Sequence, residues 1–234
     1  MRVLFLMPLS VLCLIGLSVC GGARDSMAVV QFVTGPVNIE RVGVDAPIPA
    51  RIGETILETD TIVTGEGGAI ELDVRGVGVV RIGENSRLEL TEFTEGRRIE
   101  IRVEQGRAGL FVGEQEPEGE LVVTLPTLVA SVRGTRFLAG ADDEVGSKLA
   151  LFDGALAVAD PGGRELVMDG QSEIRLEEGA ALTEDALGPL SAESIAEMRA
   201  LEEMTSLDPG RQPRISDMPP PAAAPGAGLE QPRP

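Results

Sequence analysis

Short runs in which apolar and charged residues alternate fill the middle of the chain, between Val29 and Leu176. Residues 70–75 read Ile-Glu-Leu-Asp-Val-Arg, and residues 99–103 read Ile-Glu-Ile-Arg-Val. Such period-two alternation, rich in β-branched residues, is typical of strands that bury one face and expose the other. Glycine-containing turns separate the runs at intervals of roughly 8–12 residues. The pattern predicts an all-β domain over residues 29–180, built as a multi-stranded β-sandwich or as a β-roll or short solenoid.

The pattern changes after this domain. Residues 190–207 predict one short amphipathic helix, with Ser191 as its N-cap. Ile195, Met198 and Leu201 recur three residues apart and form an apolar stripe, which we expect to pack on the β domain. From residue 208 to residue 234 Pro and Ala dominate and no apolar periodicity remains, which predicts a disordered tail.

The N-terminus has the pattern of an export signal. Met1-Arg2 supplies a positive start, and an apolar stretch follows that is too short and too interrupted to favour a bilayer-spanning anchor. We predict a signal peptide over residues 1–19 and a linker over residues 20–28. Either export or anchoring places the domain on the periplasmic or cell-surface side of a bacterial membrane.

Cys20 lies at the end of the apolar stretch, in a segment that reads Leu-Ser-Val-Cys-Gly-Gly and resembles a bacterial lipobox. The resemblance implies that Cys20 is the lipidated first residue of the mature protein. The residue before it is Val19, where a small residue is usual. The alternative is ordinary cleavage after Ala23, which would remove Cys20.

Composition excludes several kinds of chemistry. The 234-residue chain has no His, and its only two cysteines, Cys13 and Cys20, lie in the apolar stretch. After residue 20, neither a His/Cys metal site nor a His-activated nucleophile can be built, so we expect no metal and no cofactor. A net charge of -18 and few aromatic residues also make a nucleic-acid partner unexpected.

Carboxylates are the remaining candidates for chemistry. A pair of them could act as acid and base in glycoside hydrolysis, and a cluster could bind Ca²⁺. However, Glu71, Asp73, Glu89 and Glu100 all fall on the outward phase of alternating strands, where we expect them to be solvated. The sequence therefore favours a protein that is not an enzyme.

Residues 129–137 read Val-Ala-Ser-Val-Arg-Gly-Thr-Arg-Phe and place a glycine inside a strand-like run. This pattern predicts a bulge, a kink or a close backbone approach. Arg133 would need a carboxylate partner if it pointed inward. A structural kink is favoured over a binding site.

The order of these segments resembles the FecR domain of bacterial envelope proteins. Residues 52–65 resemble a family stretch that contains Gly-Asp and ends in Thr-Gly, although Thr59 stands where glycine is usual. Residues 131–137 resemble the most recognisable signature of the family, V-R-G-T-x-F. The resemblance marks the following residues as a structural signature: Asp60, Gly65, Arg133, Gly134, Thr135, Phe137, Gly154 and Gly170.

The best-known members of this family are inner-membrane signal transducers with a cytosolic anti-sigma segment. Only Met1 and Arg2 precede the apolar stretch here, so we expect no such segment. The resemblance and the composition together favour a non-catalytic binding or scaffolding module of the cell envelope. Its expected partners are an envelope protein or cell-wall component, and the membrane itself through the N-terminal lipid. The alternative is an accessory that senses or relays an envelope signal to a separate transmembrane regulator.

Lipidation can be tested by the intact mass of the membrane-associated protein beside a Cys20→Ala variant. We expect a chain that starts at Cys20 and carries acyl mass, and we expect the variant to lose that mass. An unmodified chain that starts near Arg24 would contradict lipidation, and an uncleaved chain would support the membrane-spanning alternative.

Overall fold

The structure is a computed structural model, which describes residues 26–93, 98–113, 120–142 and 146–204. The predicted signal peptide, Cys20 and the predicted tail from residue 208 lie outside the described residues. None of the helices among the described residues is long and apolar enough to cross a membrane.

Strands dominate the described chain. They are β1 (Ser26–Thr34), β2 (Val37–Glu40), β3 (Ile48–Pro49), β4 (Thr55–Leu57), β5 (Thr61–Thr64), β6 (Ala69–Val74), β7 (Gly78–Ile82), β8 (Arg87–Phe93), β9 (Arg98–Val112), β10 (Glu120–Thr124), β11 (Val129–Val132), β12 (Arg136–Asp142), β13 (Gly146–Asp153), β14 (Ala155–Ala159), β15 (Glu165–Asp169), β16 (Ser172–Leu176) and β17 (Leu187–Gly188). A 3₁₀ turn (Glu184–Ala186) precedes β17, and one helix, α1 (Ala192–Glu203), follows it. The all-β class is thus confirmed, with strands that extend beyond residues 29–180 at both ends.

The strands form two sheets that share one long strand, β9. Sheet A has the order β4-β1-β6-β7-β9-β12-β13-β16-β17, and sheet B has the order β3-β2-β5-β8-β9-β10-β11-β14-β15. All pairs are antiparallel except β9 with β10. This antiparallel pairing makes the domain a two-sheet sandwich with roll-like crossings, and not a solenoid of stacked parallel coils.

The inner faces of the two sheets form one apolar core. Ile39, Ile62 and Leu88 contribute to it from sheet B, and Leu72 and Phe137 contribute from sheet A. Alternation places these side chains inward and the charged residues between them outward, as the period-two pattern predicts. Phe137 is fully buried, and the rest of the core is almost wholly aliphatic.

The chain crosses between the sheets at sharp corners. Beside one of them, in the turn between β11 and β12, Gly134 has a φ of 61°. Gly154, with a φ of 93°, lies directly against this turn: a Cβ on Gly154 would stand 2.6 Å from the Gly134 carbonyl oxygen. The glycine inside the predicted run therefore marks a break between two strands and a close approach of two crossings.

Thr59 has a φ of 65°, in the left-handed region that a β-branched side chain rarely occupies. The next residue, Asp60, is fully buried and bonded to Arg41, which holds the turn in place. This conformation gives a physical reason for the glycine that is usual at the position of Thr59 in the family.

Helix α1 forms a third layer on the outer face of sheet A. Met198 and Leu201 are buried against Leu138 and Ala150 of the sheet. Ile195, which we predicted to share this face, is instead 39% exposed. The buried residues are Ser194, Met198 and Leu201, which lie on one face at the i, i+4, i+7 spacing of a helix and leave Ile195 to the side of that face.

We predict that Gly154→Ala destabilises the fold by about 3–5 kcal/mol, because a left-handed φ and a backbone collision act together. Gly53→Ala is the matched control, since Gly53 has a φ of 82° but no atom within 4 Å of its Cβ position. The control should cost about 1–2 kcal/mol. Urea unfolding measures both, and equal losses would contradict the close-approach explanation.

Candidate binding surface

Helix α1 is held on sheet A by a row of ion pairs. Lys148 contacts Glu197 at 2.5 Å, and Arg136 contacts Glu202 at 2.7 Å. The Lys148–Glu197 pair is mostly buried, whereas the Arg136–Glu202 pair is partly exposed. The buried side chains of Met198 and Leu201 supply the apolar contact under the helix, and the mostly buried Lys148–Glu197 pair lies beside it. The exposed Arg136–Glu202 pair contributes little.

The first turn of α1 is anchored by Glu173 of β16. The Glu173 carboxylate accepts hydrogen bonds from the backbone N–H and the hydroxyl of Ser191, at 3.1 and 2.9 Å, and from Arg175 at 2.6 Å. Ser191 in turn caps the helix by accepting from the Ser194 N–H at 3.1 Å. Burial alone would raise the pKa of Glu173, but these hydrogen bonds outweigh it and lower the pKa to about 2.

A cavity of about 300 Å³ opens beside this first turn. Its lining includes Arg107, Lys148 and Arg175 together with the carboxylates of Glu193 and Glu197. These charges are paired with one another: Arg175 contacts Glu193 at 2.6 Å and Arg107 contacts Glu197 at 3.7 Å. The cavity is therefore the solvent-facing side of a structural ion-pair network.

Other buried carboxylates also have structural partners. Glu71 is only 5% exposed and contacts Arg81 at 2.7 Å, and Arg81 in turn lies over the Phe111 ring. The prediction that Glu71 is a solvated surface residue was wrong, because its carboxylate lies against Arg81, whose guanidinium also reaches the Glu202 carbonyl oxygen of α1. Asp73 is exposed, as predicted.

Asp160 fixes the turn between β14 and β15. Its carboxylate accepts from the backbone N–H groups of Leu182 and Arg164, each at 2.9 Å. These bonds lower the pKa of Asp160 below the ordinary value. The carboxylate thus ties this hairpin to the segment that follows β16.

The Arg41–Asp60 pair closes one edge of sheet A. The Arg41 guanidinium donates hydrogen bonds of 2.7–3.1 Å to both oxygens of the Asp60 carboxylate, and it also donates to the Thr55 carbonyl at 2.9 Å. Asp60 accepts from the Leu57 N–H at 2.9 Å. Both backbone groups belong to β4, the last strand of the sheet, so side chains satisfy its outer edge.

The signature residues around the β11–β12 turn do not form a pocket. Arg133 is exposed and has no ion pair or hydrogen bond among the described residues. Thr135 is buried, and its hydroxyl lacks a hydrogen-bond partner within the same part of the chain. Gly134 and Thr135 lie against Gly154, so this turn contributes backbone packing. Because Arg133 points to solvent, it does not need the inward carboxylate partner that the sequence analysis considered.

Gly65 and Gly170 occupy turns at different places on the surface. Gly65 bonds its N–H to the Pro36 carbonyl at 2.9 Å, and Gly170 has a φ of 62° between β15 and β16. The signature residues are therefore dispersed over corners, core and surface, and the structure brings together only the pair of crossings at Gly134 and Gly154.

Among the described residues the two sheets end at four strands, and three of these strands are shortened or capped. β3 is two residues long and contains Pro49, β17 is two residues long, and β4 is capped by Arg41 and Asp60. Short edges, proline and bonded side chains are ways in which proteins block unwanted strand pairing. Among the described strands, β15 is the edge without such a block.

β15 pairs with β14 on one side and has no strand from residues 26–93, 98–113, 120–142 or 146–204 on the other. Leu166 packs on the core and Met168 is fully buried, while Val167 between them is 65% exposed. The sequence pattern predicts strands throughout residues 29–180 but contains no sign that the strand at residues 165–169 lies at an edge. Edge position depends on which distant strands pair, and local alternation contains no such information.

Comparison with known proteins is consistent with this architecture. Residues 60–157 match the family model described as FecR protein, which is less than half of the chain. This match confirms, over these residues, the resemblance to the FecR domain that was drawn from the sequence. No curated protein matches the sequence.

Two solved structures of a candidate anti-sigma factor from Parabacteroides distasonis ATCC 8503, at 1.65 and 2.50 Å resolution, are similar to this chain. Their sequence identities are 18% and 17%, and their TM-scores are 0.48 and 0.49. Each similarity covers 58% of this chain and 62% of the other chain.

We predict that Glu173→Gln loosens α1 and lowers the free energy of unfolding by about 1–2 kcal/mol at pH 7. Because the folded pKa of about 2 lies below the unfolded value, the stabilisation is complete above pH of about 4.5 and is lost as the pH falls towards 2. The difference between wild type and variant should therefore shrink over this range.

Urea unfolding between pH 2 and 7, with hydrogen exchange of α1, measures this effect. Glu193→Gln is the control, since Glu193 contacts the same Arg175 from an exposed position. The control should change stability by only a few tenths of a kcal/mol. A difference for Glu173→Gln that does not vary with pH would contradict the assigned role.

Proposed function

We propose that the protein is an exported, non-catalytic binding module of the cell envelope, anchored by a lipid on Cys20, which receives an extended segment of another envelope protein at β15. The observation that carries this proposal is the difference between the edge strands of the described part of the chain: three are shortened or capped, whereas β15, five residues long, has no described strand on its outer side. Strand addition to an exposed edge is a common mode of peptide recognition, in which backbone hydrogen bonds supply much of the affinity.

The alternation of hydrogen-bonded pairs between β14 and β15 indicates which backbone groups of β15 are available to a partner. The Asp160 N–H donates to the Arg164 carbonyl at 3.0 Å and closes the hairpin. In an antiparallel ladder, hydrogen-bonded pairs then recur at every second residue, which directs the backbone groups of Leu166 and Met168 towards β14. The N–H and C=O groups of Glu165, Val167 and Asp169 point to the open side.

The buried carboxylates support a non-catalytic role. Asp60, Glu71, Asp160 and Glu173 are each bonded to arginine or backbone groups that hold turns, edges or the helix. A general acid or base must present its carboxylate to a substrate, and these four are occupied by structural contacts.

The proposed anchor keeps the domain close to the membrane. Five residues lie between Cys20 and the start of β1 at Ser26, and the six steps from Cys20 to Ser26 span at most about 20 Å in an extended chain. Tethering at this distance raises the local concentration of a membrane-bound partner, so a modest affinity at β15 is sufficient.

We predict that Val167→Pro abolishes partner binding and leaves the fold intact. Proline removes an N–H that points to the open side, whereas the N–H groups bonded to β14 remain. A photo-crosslinking side chain at position 165 should capture a discrete envelope protein in cells, and Val167→Pro should eliminate that adduct. Val167→Thr, which keeps the N–H and the β-branched shape, should retain it.

The thermal midpoint of each variant verifies folding. An adduct that persists unchanged in a folded Val167→Pro variant would contradict binding at the β15 edge. The relay alternative has a separate readout, because deletion of a relay alters transcription of its target genes, whereas deletion of a binding module need not do so.

A further inference from the structure

We infer that the strand accepted at β15 is cationic, with a basic, an apolar and a second basic residue at alternate positions. This inference rests on the proposed function, because it assumes that β15 is the docking edge. It adds the chemical class of the partner segment. Three features of the edge lead to it: two carboxylates, the apolar residue between them, and a row of small side chains beside them.

Glu165, Val167 and Asp169 lie on one face of β15. They alternate with the inward-facing Leu166 and Met168, so their side chains point to the outer face of sheet B. Glu165 and Asp169 are exposed, and neither makes an ion pair with any residue that the structure describes. The open edge therefore presents two uncompensated carboxylates with an aliphatic side chain between them.

A strand that pairs with β15 places one side chain opposite each of these three. Directly opposed residues on neighbouring strands are close enough for opposite charges to attract and for like charges to repel. Lysine or arginine opposite Glu165 and Asp169 is therefore favoured, and an acidic residue at either position is rejected. The overall charge of -18 adds a longer-range attraction for basic segments.

An apolar row continues from Val167 into the sheet. The strand registers align Val167 with Ala157, Ala157 with Ser131, and Ser131 with Val122. These side chains are small or aliphatic. The row ends on β9, where Val122 aligns with the charged Glu100. An aliphatic residue of the partner opposite Val167 extends this row by one strand and gains the same lateral packing.

A second copy of the chain is a poor occupant of this edge. Antiparallel pairing of two β15 strands about Val167 would place Glu165 of each copy opposite Asp169 of the other. Four carboxylates would then lie along one short ladder between two strongly acidic molecules. The charges on β15 thus block self-association while leaving the edge open to a basic strand.

The inference can be tested with two matched peptides and the purified mature protein. The first probe is the acetylated, amidated heptapeptide Thr-Lys-Thr-Val-Thr-Lys-Thr, and the second carries Glu in place of both Lys. Because the first sequence is symmetric, it offers the same charges in either strand direction. Titration calorimetry or NMR shift mapping at low salt measures binding.

We expect the Lys peptide to bind and to shift the signals of β15, and we expect the Glu peptide not to bind. Neutralising both carboxylates, as in Glu165→Gln with Asp169→Asn, should lower the affinity for the Lys peptide by roughly 2- to 30-fold. This range follows from about 0.2–1 kcal/mol for each of the two charge pairs. Glu165→Lys with Asp169→Lys should reverse the preference towards the Glu peptide. Added salt should weaken the wild-type interaction.

The outcomes separate this inference from the proposed function. Equal binding of both peptides, abolished by Val167→Pro, would overturn the cationic preference but leave the open edge as a binding site. Absence of binding by either peptide at millimolar concentration would overturn the inference. The crosslink at position 165 would still test, independently, whether any partner binds at the β15 edge. Concentration-dependent dimers lost in Val167→Pro would show that a second copy occupies the edge and would also overturn it.

Discussion

Two apolar sheet faces must cover one another, and the rest of the structure depends on this constraint. The inner faces consist almost entirely of aliphatic side chains, with Phe137 at the centre. A single chain can complete both faces only by crossing repeatedly between the sheets, so that neighbouring crossings come into contact at the corners. The approach of Gly154 to the turn at Gly134 is such a contact, and a side chain there would push the crossings apart.

Charged residues in this protein hold structural elements that the apolar core cannot secure. Glu173 fastens the first turn of α1, Asp160 fastens the β14–β15 hairpin, and Asp60 with Arg41 closes the edge at β4. Each carboxylate accepts backbone N–H groups that would otherwise be unsatisfied at the end of an element. The acidic composition is therefore partly structural, and only the carboxylates outside these contacts are free to determine how the surface meets a partner.

Because three of the described edge strands are shortened or capped, the fourth, β15, is the edge strand at which pairing with another strand is least hindered. A sandwich with four open edges would aggregate, and proteins avoid this by shortening, covering or charging their edge strands. In this domain β3, β4 and β17 are shortened, interrupted by proline or capped, whereas β15 keeps its backbone groups exposed and bears two carboxylates. An edge that bears charges but is neither shortened nor capped should repel its own copies and accept a complementary strand, which is the property that the proposed binding role requires.

Local sequence determined the strands, the helix and the family of this domain, because period-two alternation and turn residues act over only a few neighbouring positions. The V-R-G-T-R-F segment and the position of Ser191 were likewise readable without a structure. Tertiary structure alone decided that Glu71 is buried against Arg81, that Ile195 is exposed, and that β15 is an edge among the described strands. These properties arise from contacts between residues far apart in the chain, and the pattern of any one segment does not specify which distant segment will lie beside it.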